Sequence, residues 1–107
     1  MKTKLRKRRK GHEKMLTEAP QNIIRLEASI NYTNFILQTG KIQIMSYYVS
    51  MYGVLLPQTF IRVNKSCIIN KSFIKNLNVE DKVVTLKDGY EVQISRRRWA
   101  EVLLNVA

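Results

Sequence analysis

Short apolar runs that alternate with polar positions recur along the chain from Ile23 onward. β-Branched and aromatic residues with a period of two are typical of strands that bury one face. The pattern predicts strands over residues 23–26, 32–38, 41–45, 60–63, 67–69, 83–86 and 90–94. Thr39-Gly40 and Asp88-Gly89 each separate two of these strands. Both pairs predict hairpins, and Asp88-Gly89 predicts a type I′ turn, in which both central residues need positive φ.

Two further segments have helical spacing. After Ser46, five apolar residues fall on one helical stripe: Tyr48, Val49, Tyr52, Leu55 and Leu56. Ser46 is the expected N-cap of this helix, Pro57 is its expected end, and the stripe is expected to pack in the core. Ser95 is the expected cap of a last helix over residues 96–105, which is expected to bury Trp99, Val102 and Leu103.

Residues 71–77 do not fit either pattern cleanly. They predict a single helical turn or an irregular link that packs on the sheet, and Asn76-Leu77-Asn78 is expected to break it. The expected fold class is therefore mainly β with two or three short helices.

The polar insert Asn64-Lys65-Ser66 stands between two apolar half-strands. Because its flanks are expected to be pinned in a sheet, the insert should protrude from a rigid frame. Arg62 and Lys65 can reach an anion there, while Asn64 and Ser66 can donate to and accept from a phosphate or a base edge. The alternative is a polar turn with no role beyond joining two core strands.

The charge of the chain is strongly basic and unevenly placed. There are 19 Lys and Arg against 8 Asp and Glu, a formal net charge of +11. Residues 1–14 hold eight cations and one acid, a net +7, which leaves a net +4 on residues 15–107. Such an excess favours polyanionic partners. We expect a basic, disordered arm over residues 1–20, either an electrostatic tether or a tail without a role, and one folded domain over residues 21–107.

Several function classes find no support in the sequence. Cys67 is the only cysteine and His12 the only histidine, so neither an internal disulfide nor a His/Cys metal site is expected. Since glycine-rich phosphate loops and catalytic constellations are missing as well, we expect no enzymatic activity and no cofactor. Apolar runs fall short of the ~20 residues of a membrane span, and the expected location is the cytoplasm.

Three consecutive arginines, Arg96, Arg97 and Arg98, stand in the first turn of the predicted last helix. Cations at a helix N-terminus oppose the macrodipole, so the helix itself does not call for them. An external anion is the expected reason for Arg96 and Arg97, with solvated surface charge as the alternative for Arg96, whereas Arg98 is expected to be a solvated surface charge.

Three spaced motifs occur along the chain. Phe60, Arg62, Ser66 and Asn70 form a Phe-x-Arg-x-x-x-Ser-x-x-x-Asn run, Leu26-Glu27-Ala28 precedes this run, and Ser95-Arg96-Arg97 follows it. Together these motifs resemble the LytTR family of bacterial DNA-binding domains, the output domains of response regulators. The resemblance covers residues 23–104, and it implies an elongated, mostly β fold whose loops enter successive major grooves along one face of the duplex.

The resemblance also implies contact residues. Arg97 falls where the family places a base-reading arginine, Lys65 where it places a base-reading side chain, and Thr33 in the first contact loop, which spans residues 30–34 here. Lys65 lacks the planar fork of arginine, so it equally suits a phosphate contact. The expected contacts to the DNA backbone are Arg62, Asn64, Ser66, Ser95 and Arg96.

The chain departs from the family in ways that limit the expected function. The resemblance does not extend to a receiver domain, so regulation by phosphorylation is not implied. Asn64 stands where the family often has a histidine, and Thr33 falls in a variable loop. The base sequence that the protein recognises therefore cannot be inferred from the resemblance. The resulting hypothesis is sequence-specific binding of double-stranded DNA by a transcriptional regulator. It leaves room for a homodimer on a repeated site and for a regulatory partner protein. The alternatives are a basic RNA-binding or ribosome-associated module and a module that regulates through a partner.

Overall fold

A computed structural model of the chain describes residues 20–106, so the predicted arm lies almost wholly outside the described residues. The described part contains the following strands and α-helices: β1 (Ile23–Ser29), β2 (Tyr32–Leu37), β3 (Ile42–Met45), α1 (Val49–Leu55), β4 (Phe60–Asn64), β5 (Cys67–Asn70), β6 (Ile74–Asn78), β7 (Val83–Leu86), β8 (Glu91–Gln93) and α2 (Trp99–Val106). Single 3₁₀ turns occupy Pro20–Asn22, Lys71–Phe73 and Arg96–Arg98. The predicted fold class, mainly β with short helices, is confirmed.

The strands form two antiparallel sheets. The larger sheet has the order β3-β2-β1-β5-β4 and the smaller one the order β6-β7-β8. The molecule measures 50 × 27 × 23 Å along its principal axes, so the fold is elongated as expected. No helix within residues 20–106 is long and apolar enough to cross a membrane.

The larger sheet is covered on both faces. One face packs against α1, where the rings of Phe35 and Tyr52 meet edge to face with centroids 4.8 Å apart. The other face packs against the smaller sheet and α2, in a cluster that includes Ile69, Val84 and Val102. One core layer therefore lies on each side of the sheet, and the inner strand β5 has no solvent-facing side, whereas β3 at the edge is largely exposed.

Strand β5 shows the consequence of this double burial. All four of its residues are buried, with Ile68 in the core layer beneath α1 and Ile69 in the layer beneath the smaller sheet. The polar end residue Asn70 is satisfied because its Nδ2 donates to the carbonyl of Ile23 at 3.0 Å. Burial on both faces explains why this segment reads as an unbroken apolar run rather than an alternation.

The two predicted hairpins are confirmed, but the predicted turn type of the second is wrong. Gly89 has a φ of 90°, whereas Asp88 is not among the positive-φ residues of the described part. The loop closes when the Gly89 N–H donates to the Leu86 carbonyl at 2.9 Å. Only one position therefore needs the left-handed region, and glycine takes it. Gly40 has the same φ and the same kind of hydrogen bond, to the carbonyl of Leu37.

One strand was missed, one cap was assigned wrongly, and a second residue takes the cap position without the capping hydrogen bond. Residues 74–78, expected as a link broken at Asn76-Leu77-Asn78, form β6 and pair with β7. Ser46 is not an N-cap, because α1 begins at Val49 after Tyr48. Ser95 precedes a 3₁₀ turn without a side-chain capping hydrogen bond, so α2 begins only at Trp99.

The predicted core stripes are only partly correct. Val49 and Tyr52 of α1 are buried as expected, but Leu55 and Tyr48, which precedes α1, are exposed. In α2 only Val102 is fully buried. Trp99 and Leu103 are half-buried, with Trp99 packed against the edge of the core beneath the smaller sheet.

In addition to the apolar core, the buried side chain of Arg25 links the two sheets through ion pairs. It is 8% exposed, with Nε 2.9 Å from Glu27 Oε1 and Nη1 2.9 Å from Asp88 Oδ2. Its guanidinium carbon lies 3.5 Å from the centre of the Tyr90 ring. Burial by itself would lower the pKa of Arg25, but the hydrogen bonds and charges of the two carboxylates raise it above its usual value. A residue of β1 thus holds the β7–β8 loop in place.

We predict that Arg25→Met lowers the free energy of unfolding by about 1–3 kcal/mol, because Glu27 and Asp88 would each lose a hydrogen-bonded partner. Both carboxylates keep some contact with water, so the loss should fall short of that for a fully buried pair. Urea denaturation measures the difference. Lys87→Met, which removes an exposed cation two residues from the loop glycine, is the control and should stay within ~0.5 kcal/mol of the parent protein. Equal effects of the two substitutions would contradict this account of Arg25.

Candidate nucleic-acid interface

Three chain reversals lie together at one end of the larger sheet. The β1–β2 turn (Ile30 and Asn31) follows Ala28, whose N–H donates to the Ser66 carbonyl in the β4–β5 turn at 2.7 Å. The third reversal is the corner between β8 and α2, residues 95–98, whose first N–H donates to the Val63 carbonyl at 2.9 Å. The structure therefore brings together the three places that the sequence put forward as contact loops. We call them the contact turns.

Side chains within the β4–β5 turn hold its backbone in shape. Arg62 bridges the turn, since its Nη2 donates to the Lys65 carbonyl at 2.6 Å and its Nε to the Asn64 carbonyl at 3.3 Å. Asn64 uses both ends of its amide, accepting from the Ser66 N–H and donating to the Gln93 carbonyl, each at 2.8 Å. These bonds fix the turn to β8 and leave Lys65 and Ser66 exposed at its tip.

Arginines crowd around this turn without carboxylates to neutralise them. Burial lowers the pKa of Arg62, and the positive charges of Arg98 and Arg97 lower it further. None of the ion pairs formed among residues 20–106 involves any of these three arginines. An uncompensated cluster of guanidinium groups at partly exposed positions is a place where an external anion lowers the free energy.

The predicted base-contact residues differ in their accessibility. Lys65 and Arg97 are exposed, each on a different contact turn. Thr33 is fully buried, and its hydroxyl donates to the Tyr47 carbonyl at 2.6 Å. The structure therefore argues against Thr33 as a base contact, because its hydrogen bond and its burial hold it inside β2. The predicted first contact loop, residues 30–34, shrinks to a two-residue turn because β2 begins at Tyr32.

The predicted backbone contacts also divide into two groups. Ser66 and Arg96 are exposed and Ser95 is half-buried. Arg62 and Asn64 instead direct their polar groups at the protein's own carbonyls and amides, so they shape the turn. Within the Phe-Arg-Ser-Asn run, Phe60 and Asn70 are buried opposite each other in the β4–β5 pair. That run therefore combines core positions with turn positions.

Gln93 supports the site and was missed in the sequence. Its carbonyl accepts from Asn64, and its Nε2 donates to the carbonyls of Asp81 and Lys82 at 3.1 Å each. Lys82 has a φ of 53°, a conformation that the two bonds help to hold in the turn before β7. A polar residue on the exposed side of a strand carries no pattern that distinguishes this role, so the sequence held no signal for it.

Cys67 begins β5 immediately after the tip of the β4–β5 turn, and its thiol is not part of the exposed surface. It is 5% exposed, and burial, followed by the charge of Glu27, raises its pKa to about 12. A thiol of this kind is protonated at neutral pH and neither attacks electrophiles nor binds metals readily. Within residues 20–106 no group of three or more His, Cys, Asp or Glu side chains could hold a metal ion.

Comparison with known proteins gives a family match and a fold match. The family model described as "LytTr DNA-binding domain" matches residues 13–105. Among solved structures, the fold is similar to the LytTr DNA-binding domain of a putative methyl-accepting/DNA response regulator from Bacillus cereus. That match has 22% sequence identity and a TM-score of 0.69, and it covers 80% of this chain and 81% of the other. No curated protein matches the sequence.

We predict that Cys67 in the folded protein resists iodoacetamide at pH 8, because a pKa near 12 leaves roughly a thousandfold less thiolate than an ordinary cysteine has. Mass spectrometry should detect alkylation only after urea unfolds the protein. The control is Ser66→Cys combined with Cys67→Ala, which moves the thiol by one residue to the exposed tip and should react readily. Fast alkylation of Cys67 in the folded parent protein would show that the thiol is accessible.

Proposed function

Because the chain belongs to the LytTr DNA-binding domain family, we propose that it binds a specific double-stranded DNA sequence through the three contact turns and thereby regulates transcription. One observation carries the proposal: the three turns lie together at one end of the larger sheet, and two of them, the β4–β5 turn and the corner at residues 95–98, carry cations that no carboxylate of the described residues neutralises. Turns spaced along one edge suit the exposed major groove of a duplex. The proposal requires no catalytic group.

Arg97 is the proposed base reader of the third contact turn. It is exposed, and its planar guanidinium can pair with O6 and N7 of a guanine, the commonest specific contact in the major groove. Lys65 is the proposed reader of the second turn. It reaches the same acceptors as a point charge, so it serves either a base or a phosphate. Ser66, Ser95 and Arg96 are the proposed phosphate contacts that set the register on the duplex.

Arg62 and Asn64 take a different role from the one that the sequence suggested. Because their polar groups bind the backbone of the β4–β5 turn, we propose that they position Lys65 and Ser66 rather than hold DNA directly. The charge of Arg62 still adds to the local positive potential. Preorganisation of this kind lowers the entropy lost when a contact residue is immobilised on binding.

Composition and architecture supply the remaining parts of the proposal. The division into a basic arm over residues 1–20 and a domain over 21–107 stays a proposal, and the family match begins inside that arm, at residue 13. A bacterial transcription regulator acts on DNA in the cytoplasm, either as a monomer or as a homodimer on a repeated site, and a partner protein would supply its regulation.

Duplex DNA is favoured over single-stranded RNA by the placement of the aromatic residues. Modules that read single strands stack bases on aromatic side chains grouped on one sheet face. The exposed tyrosines among the described residues are scattered instead, with Tyr32 at the start of β2, Tyr48 before α1 and Tyr90 before β8. Selection from a random duplex pool, with single-stranded RNA as competitor, tests the proposal: enrichment of one duplex sequence supports it, and preferential binding of the RNA overturns it.

We predict that Arg97→Ala costs ~1–3 kcal/mol of binding free energy on the preferred duplex and relaxes selectivity at one or two adjacent base pairs, because a bidentate base contact is lost. Arg96→Ala should weaken binding to all duplexes about equally and flatten the salt dependence by roughly one counterion. Titrations of both variants on a preferred and a scrambled duplex over a salt series measure the contrast.

Lys41→Ala is the matched control, since it removes a cation from the β2–β3 loop at the opposite end of the larger sheet. It should leave selectivity unchanged and should lower affinity only by the small electrostatic effect of losing one distant charge. Equal losses on preferred and scrambled duplexes for Arg97→Ala would demote that residue to a phosphate contact.

We also predict that deleting residues 2–12 weakens binding to every duplex by a similar factor and preserves sequence preference. The deletion removes seven cations and leaves the matched range complete. Cations that act through counterion release add affinity without base readout, so the plot of log affinity against log salt concentration should become less steep. Loss of preference among sites after the deletion would mean that the arm itself reads bases.

A further inference from the structure

Ile30 is an apolar residue that the fold leaves almost fully exposed. It occupies the β1–β2 contact turn and is 93% exposed, the highest value among the large hydrophobic side chains of the described residues. Single exposed apolar residues are common on protein surfaces. This one differs because it stands at the tip of a turn directed at the proposed partner.

Turn geometry does not account for isoleucine at this position. Ile30 and Asn31 form a two-residue connection between Ser29 and Tyr32, which face each other in the β1–β2 pair. Neither of the two turn residues has a positive φ, since Lys82 is the only such non-glycine residue within residues 20–106. Residues that favour tight turns are Gly, Asn, Asp, Ser and Pro, and a β-branched apolar side chain adds nothing to this backbone.

The position of the turn explains what Ile30 can reach. Ala28 is level with Ser66, through the 2.7 Å hydrogen bond between the two turns. Ile30 lies two residues further along the chain, one residue after the end of β1. Ile30 and Lys65 are therefore exposed side by side at the same end of the larger sheet, where both can meet one partner.

We propose that Ile30 reads a thymine through its C5-methyl group in the major groove, a step that rests on the proposed function. The thymine methyl is the apolar feature that the major-groove edges of the four bases present, and aliphatic or aromatic side chains recognise it. An exposed aliphatic side chain lowers its free energy on a duplex by covering apolar surface. In the major groove that surface is the thymine methyl group. Ile30 thereby becomes the specificity determinant of the first contact turn, in place of the buried Thr33.

The experiment replaces single thymines by uracil, which removes only the methyl group. The preferred duplex is first obtained by selection with the full chain, and each of its thymines is then changed in turn. For the parent protein, one position should weaken binding about three- to fivefold, the factor that corresponds to ~0.8 kcal/mol for one buried methyl-sized group. With Ile30→Ser the same change should have no effect, while Ile30→Val should retain it.

A matched control isolates the location from the residue type. Ile42→Ser changes an isoleucine that is 62% exposed on β3, where it pairs with Ile36 toward the opposite end of β2. It should leave the uracil effect intact. Ile30→Ser should keep the melting temperature of the parent protein, because its side chain is exposed in the free protein.

The possible failures are distinguishable. If uracil costs the same for the parent protein and for Ile30→Ser at every position, the thymine assignment is wrong while sequence-specific binding stands. If Ile30→Ser weakens the preferred duplex but no uracil change does, Ile30 acts as a wedge or by shape, and the assignment is again wrong. If no preferred duplex emerges from selection, the proposed function fails and the role of Ile30 fails with it.

Discussion

Burial of both faces of β5 is the constraint on which the contact turns depend. β5 has α1 on one side and the smaller sheet on the other, and none of its four residues faces solvent. A strand held in this way cannot slip in register without moving apolar side chains out of two core layers. The turn that leads into it is therefore fixed at its base, and its own hydrogen bonds to Arg62 and Asn64 fix the tip.

Two arginines, the buried Arg25 and the half-buried Arg62, show how the protein divides its charges between fold and function. Arg25 is neutralised by two carboxylates and covered by an aromatic ring, so it is complete within the chain. Arg62 has like charges for neighbours, so burial and then the charges of Arg98 and Arg97 lower its pKa, whereas the carboxylates near Arg25 outweigh burial and raise the pKa of that residue. The free energy stored in this repulsion falls when an anion arrives. Cations clustered without partners thus destabilise the free domain slightly and favour the bound one.

Much of the fold followed from local signals, whereas the misses have tertiary causes. Gly40 and Gly89 allowed both hairpins to be predicted, because each loop needs one residue with a left-handed backbone conformation. β6 was missed because its residues alternate poorly and its strand character comes from pairing with β7. The site residues were likewise predicted in part. The exposure of Lys65 and Arg97 followed from their polar positions at the ends of strands. Nothing in the sequence, however, indicated that the Thr33 hydroxyl would donate to the Tyr47 carbonyl.

Residue type alone does not identify the contact residues of this site, because some of its polar side chains are already hydrogen-bonded within the protein. Asn64 has the donor and acceptor of a base reader, yet both are taken by Gln93 and Ser66. The residues left for a partner are those whose side chains the fold leaves exposed at the contact turns. Charge, hydrogen-bonding capacity and an apolar tip then remain together at one end of the larger sheet. That combination matches the phosphates, polar base edges and methyl groups that a major groove presents. A surface that bound only phosphates would gain nothing from the apolar side chain of Ile30.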